Sequence, residues 1–118
     1  GIKIIDFLQP PDLAIELSKG GVFVLPSISE PWGVVVHELA ALGYPMILSE
    51  NCGAAEVFLK DNGILINPMS TDSIKKAMIQ FMDLGDYEIE LMKKKSVQLS
   101  KNITPKKSAI ILFNALMK

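Results

Sequence analysis

Glu30 and Glu38 are the residues around which chemistry could gather, with seven residues, Pro31-Trp32-Gly33-Val34-Val35-Val36-His37, between them. A strand-like run, Val22 to Leu25, leads into this stretch through Pro26-Ser27-Ile28-Ser29. The apolar spacing of Val34, Val35, Leu39 and Leu42 predicts a helix over Gly33 to Leu42, closed by Gly43 and Pro45. The loop then lies at the carboxyl end of a strand, the edge of an open α/β sheet where ligands bind. The first amides of the helix, from about Trp32 to Val35, have no intrahelical acceptor and sit at the positive end of the helix dipole, so they receive an anion or a hydroxyl oxygen. Gly33 keeps that approach clear of a side chain. Glu38 shares an i, i+4 stripe with Val34 and Leu42. A carboxylate on an otherwise apolar stripe needs a partner, and the hydroxyls of a vicinal diol match its two acceptor oxygens. The competing reading makes Glu38 a rim carboxylate meeting solvent or a nearby Lys, and Glu30 a residue that merely favours the helix N-terminus.

The elements that must hold these residues follow from hydrophobic period. Short apolar runs alternate with helical patterns, which predicts an α/β domain with a Rossmann-like parallel sheet of about four strands. The expected strands are Ile2 to Phe7, Val22 to Leu25, Pro45 to Leu48 and Ile64 to Ile66, apolar nearly throughout, as strands covered on both faces are. Helices are expected over Asp12 to Ser18, ended by Gly20-Gly21, over Gly33 to Leu42, and over Ala54 to Leu59. Beyond Ile66 the strand pattern stops. Ser70-Thr71-Asp72-Ser73 offers N-caps for a helix with Ile74, Ala77, Met78 and Phe81 inward, and Tyr87 to Leu99 and Ser108 to Met117 follow. Lys93 to Lys95 fall on the solvated side of their helix, and a lipid or phosphate contact is the alternative reading of that cluster.

Composition narrows the function classes. The 118 residues suit one domain, 49% of them hydrophobic and 21% charged. Net charge is −1, so nucleic acid binding by phosphate neutralisation is not expected. The charge is uneven: two Lys and seven acids give −5 over residues 1–59, while ten Lys and six acids give +4 over 60–118. There is no Arg, so a phosphate site would rely on backbone and Lys. A single Cys and a single His, Cys52 and His37, exclude an internal disulfide and a four-ligand structural zinc site. No apolar run approaches the roughly 18 residues of a membrane span, and a cytoplasmic setting is expected. The chain starts on a strand-like segment without Met, which predicts a piece of something longer.

At this point the residues resemble a family. Glu30-Pro31-Trp32-Gly33-Val34-Val35-Val36-His37-Glu38, continuing to Gly43-Tyr44-Pro45, is similar to the E-x7-E signature of retaining family 4 glycosyltransferases, which have two Rossmann-like domains. Val22 to Ser27 resembles the preceding strand ending in Pro-Ser, and Ile5-Asp6-Phe7-Leu8 a short strand before it. Downstream, Pro45 to Ser49, Cys52-Gly53-Ala54-Ala55-Glu56 (where many members have Gly-Gly-x-x-Glu) and Asn62 to Pro68 follow in the family's order. The likeness covers about residues 2–82.

The resemblance implies a partial nucleotide-sugar-binding domain, with the acceptor domain and the basic pair that grips the diphosphate outside residues 1–118. It implies that Glu30 holds hydroxyls of the donor sugar near the reacting carbon and is the catalytic residue. The amides of Trp32, Gly33, Val34 and Val35 would contact sugar and diphosphate, Glu38 the ribose diol, and Gly53 the rim of the nucleotide pocket. The implied partners are a nucleotide-diphosphate sugar and, through the acceptor domain, a saccharide or lipid-linked acceptor, with no cofactor and no metal, and the implied setting of the full-length protein is the cytoplasm or the inner membrane surface. Two further readings stay open: a nucleotide-sugar epimerase or phosphorylase-like enzyme, and a small regulatory α/β module of the receiver type. The second would want an Asp at the end of a central strand, where Pro26-Ser27 stands. His37, pointing about 100° away from Glu38 on the helix, is expected to be a surface or packing residue. Cys52 is expected to be a small buried thiol. The isolated chain is expected to be inactive and, through the apolar edge near Ile2 to Phe7, to self-associate.

Overall fold

The computed structural model describes residues 2–102, together with Phe113 and Met117. Helix α1 (Pro10–Ser18) leads to strand β1 (Phe23–Leu25), helix α2 (Val34–Ala41), β2 (Met46–Ser49), α3 (Ala55–Phe58), β3 (Gly63–Ile66), α4 (Thr71–Met82) and α5 (Asp86–Asn102). The expected helix over Ser108 to Met117 lies outside the described residues.

The strands form one parallel sheet in the order β1-β2-β3, with Val24 beside Ile47 and Ile47 beside Ile64. Parallel strands need crossover connections, and α2 and α3 supply them. Alternation along each strand then divides the core. Met46 and Leu48 of β2 point into a cluster with Val36 and Leu39 of α2, Phe58 of α3 and Leu99 of α5, whereas Ile47 joins Ile66, Ala77 and Phe81 under α4. The central strand β2 is buried along its whole length. Carboxyl ends of all three strands face one edge, from which the loops 26–33, 50–54 and 67–70 emerge.

Helix ends follow the sequence closely. Pro10 starts α1 two residues ahead of the expected Asp12, since Pro suits the first helical turn, where its missing N–H costs nothing. At the far end of α2, Gly43 N–H donates to the Ala40 carbonyl (2.9 Å) and Tyr44 N–H to that of Leu39 (3.1 Å), a Schellman closure. Ser70 caps α4 by accepting from Ser73 N–H at 3.1 Å. Within α4 the inward residues are Ala77 and Phe81, while Met78 is 49% exposed.

One expected strand does not form. Ile2 to Phe7 is irregular and outside the core, with Ile2, Ile4 and Phe7 exposed by 98, 89 and 87%. A strand is made by its neighbours as much as by its residues, and no strand among those described lies beside this segment. The sheet therefore has three strands rather than four. Among the described residues, no helix is long and apolar enough to cross a membrane.

Candidate functional site

The loops after β1 and β2 are joined along their length. Glu30 N–H donates to the Asn51 carbonyl (3.4 Å), Gly53 N–H to that of Glu30 (3.0 Å) and Ala54 N–H to that of Trp32 (2.8 Å). This pairing extends the β1–β2 ladder past the strand ends as a bridge between Glu30 and Cys52. Asn51 adds a side-chain clamp: its Nδ2 donates to the Ile28 carbonyl at 2.8 Å, while its own N–H donates to Ser49 Oγ at 3.0 Å. Sequence reasoning missed Asn51. The available signal was an Asn two residues after a strand, a residue that fixes turns by bonding nearby backbone.

Both site glycines are explained by what surrounds them. Gly33 sits at φ +85°, and a Cβ there would come within 3.1 Å of Cys52 Sγ and 3.3 Å of Val36 Cγ2. The expectation that Gly33 clears a path for ligand is thereby revised: the space it spares lies against the protein's own Cys52 and Val36. A Cβ at Gly53 would overlap the carbonyl oxygen of Pro31, so only glycine lets the two loops close.

Glu30, half-buried, lines a cleft of about 470 Å³ with Pro31, Glu50, Asn51, Gly53 and Glu56. Glu38 is not among the residues lining that cleft; it stands on the exposed face of α2 with Val34 and Leu42, which are 64 and 58% exposed. Among the described residues, neither Glu30 nor Glu38 pairs with a Lys. Three carboxylates and no basic residue therefore border the cleft. Among the described residues, no group of three or more His, Cys, Asp or Glu could hold a metal.

The start of α2 separates side chain from backbone. Trp32 is buried, its indole edge-on to Phe58 with centroids 6.4 Å apart, so it turns away from any ligand. Val36 N–H donates to the Gly33 carbonyl (2.9 Å), while the amides of Val34 and Val35 meet no acceptor among the described residues. Two donors at the positive end of a helix, with partly or largely exposed side chains around them, are the strongest feature for an anion. Cys52 is 2% exposed; burial pushes its thiol pKa up, against the opposing pull of the Ala54 and Ala55 amides. Its Sγ–H donates to the Trp32 carbonyl at 3.6 Å, so the thiol is structural. His37 packs inward, as expected, stacked on Phe58.

A parallel α/β sheet with a carboxylate and free helix amides at its carboxyl edge defines a class of ligand-binding α/β domain. Residues 1–104 match the family of glycosyl transferases group 1, and the chain belongs to it. It is 38% identical over 74 residues to sucrose-phosphate synthase 1 of Arabidopsis thaliana, covering 61% of this chain and 7% of that protein. A probable sucrose-phosphate synthase of Vicia faba is 38% identical over 63 residues, covering 52% of this chain and 6% of that one. The solved sucrose-phosphate synthase of Thermosynechococcus elongatus superposes with a TM-score of 0.76 at 23% identity, covering 96% of this chain and 28% of its own. That likeness shows the fold. Family membership sets aside the receiver-type regulatory reading.

Proposed function

We propose that this chain carries the donor-binding portion of a glycosyltransferase that uses a nucleotide-diphosphate sugar and retains configuration at the transferred carbon. The observation that carries this reading is that one loop-to-helix segment at the carboxyl edge of the sheet bears both the half-buried Glu30, whose Cγ lies near Gly33, and the unpaired amides of Val34 and Val35. Glu30 accepts from hydroxyls of the donor sugar and fixes the ring at the reacting carbon. The amides receive diphosphate oxygens, whose charge suits the helix terminus. Glu38, on the exposed stripe with Val34 and Leu42, accepts from the ribose diol. Transfer breaks the bond from the anomeric carbon to the diphosphate oxygen and forms one from that carbon to an acceptor hydroxyl oxygen on the same face, the hydroxyl proton passing to the departing diphosphate. The acceptor is a saccharide or a lipid-linked saccharide, met in the cytoplasm or at the inner membrane surface. No metal or cofactor belongs to this proposal. The relatives' name, sucrose-phosphate synthase, supports a sugar substrate.

The three carboxylates of the cleft repel a diphosphate, and the chain has no Arg to offset them, so binding to the isolated chain is expected to be weak. An NMR titration with UDP and with GDP tests the reading. Amide shifts concentrated at residues 32–38 are expected, reduced in Glu38→Ala. Shifts confined to the Lys-bearing helices α4 and α5 overturn it.

A further inference from the structure

His37 ties the signature helix α2 to two other helices, by a ring contact to α3 and a polar contact to α5. Its imidazole lies on Phe58 with centroids 4.8 Å apart and planes 27° from parallel. Its Nε2 is 3.3 Å from the carbonyl oxygen of Ser100 in α5; a carbonyl only accepts, so Nε2–H donates. Phe58 is fully buried, and its second aromatic contact among the described residues is Trp32, met edge-on at 6.4 Å. The backbone completes the connection. Trp32 carbonyl accepts from Ala54 N–H at 2.8 Å, and Ala54 carbonyl accepts from Phe58 N–H at 2.9 Å. Trp32, Ala54 and Phe58 thus form a closed circuit, two hydrogen bonds and one ring contact, and His37 stacks on its Phe58 corner.

We propose that His37 is a positioning residue: by stacking on Phe58 it fixes Trp32, and through Trp32 the loop that presents Glu30 and the amides of Val34 and Val35. The proposal rests on the donor-site reading for its effect on binding, but not for its effect on Trp32. A half-buried imidazole is not needed merely to fill space, since an aliphatic residue of similar size would pack at this point of α2. A flat ring adds a defined orientation, because stacked rings lose contact when one tilts whereas aliphatic contacts tolerate it. Closed packing of this kind is what holds a binding group within the narrow tolerance that recognition requires.

Trp32 is the sole Trp of the chain, so its fluorescence reports this position alone. The experiment compares the full chain with His37→Leu, His37→Phe and His37→Gln by Trp32 emission, acrylamide quenching, thermal unfolding, and UDP and GDP titration. In His37→Leu, quenching is expected to rise, emission to move to longer wavelength and nucleotide affinity to fall by on the order of fivefold. His37→Phe, which keeps a ring on Phe58, restores both signals; His37→Gln, which keeps an N–H for Ser100 but no ring, does not. If His37→Leu lowers only the unfolding temperature, leaving Trp32 and affinity unchanged, the residue is structural and the proposal fails. It fails also if Gln rescues and Phe does not, which would assign the effect to the Ser100 contact. If the unaltered chain binds neither nucleotide, the donor-site reading fails, and the Trp32 signals still decide whether His37 positions the loop.

Discussion

Ile2 to Phe7 and Met46 to Ser49 are two runs of similar aliphatic character with opposite fates. The first is exposed and irregular; the second is the buried central strand of the sheet. The difference lies in what stands alongside. Met46 to Ser49 has β1 on one side and β3 on the other, with helices over both faces, and its pairing continues into the joined loops of the site. Ile2 to Phe7 has no neighbouring strand among the described residues, and α1, which follows it, buries none of its own residues. Hydrophobic sequence therefore supplies the capacity to form a strand, and backbone partners decide whether it does.

The largest expected effect breaks the well-partnered region. Gly53→Ala forces a methyl group into the Pro31 carbonyl, and backbone on both sides cannot yield as a side chain would. Urea unfolding is expected to show a loss of about 3 kcal/mol, the upper part of the overpacking range. Ile4→Ser, in the exposed segment, is expected to change stability by less than about 0.5 kcal/mol. Similar losses for the two substitutions would dissolve the contrast.

How much of this was legible in the sequence follows the same division. The three partnered strands, the helix after Gly33 and the Ser70 cap were readable because local pattern and tertiary partners agree there. The strand over Ile2 to Phe7 was misread, since periodicity records hydrophobicity and not the presence of a neighbour. Long-range polar contacts left no local signal. Asn62 is fully buried, its Nδ2 donating to the Phe58 carbonyl at 2.8 Å and to Ser96 Oγ at 2.9 Å, while Ser96 Oγ donates to the Tyr44 carbonyl at 2.7 Å. Helical period places Ser96 on the inward stripe with Met92 and Leu99, but gives no sign of the Asn62 and Tyr44 that it meets. In the site, the carboxylates and helix amides could be named from spacing, but the separation of Glu38 from the cleft that holds Glu30 required the fold.

A second prediction uses the exposed segment directly. Ile2, Ile4 and Phe7 project into water, and β1 has β2 as its one strand partner among the described residues, leaving an edge for a further strand. The chain is expected to associate as its concentration rises, and Phe7→Lys to reduce this by placing a charge in the contact. Light scattering across a concentration series checks both. Equal association of the two chains would move the contact elsewhere, for example to the exposed Met82 on α4.

The smallest effect sharpens the comparison from inside the clamped region. Burial pushes the Cys52 thiol above its ordinary value, because desolvation disfavours the thiolate more than the Ala54 and Ala55 amides favour it. The unfolded chain therefore loses this proton at lower pH than the folded one. Stability tied to Cys52 is fully present below the unfolded thiol pKa of about 8.5 and declines as pH rises from there toward the raised folded value, by no more than about 1.4 kcal/mol per pH unit. The informative quantity is the difference between two chains that differ only at residue 52. Between pH 7 and 9.5, urea midpoints of the unaltered chain are expected to fall more steeply than those of Cys52→Ala, and thiol reagents to label the native protein slowly throughout. Parallel curves together with rapid labelling would show that the two site loops part readily enough to admit solvent, and would place this region with the exposed segment rather than against it.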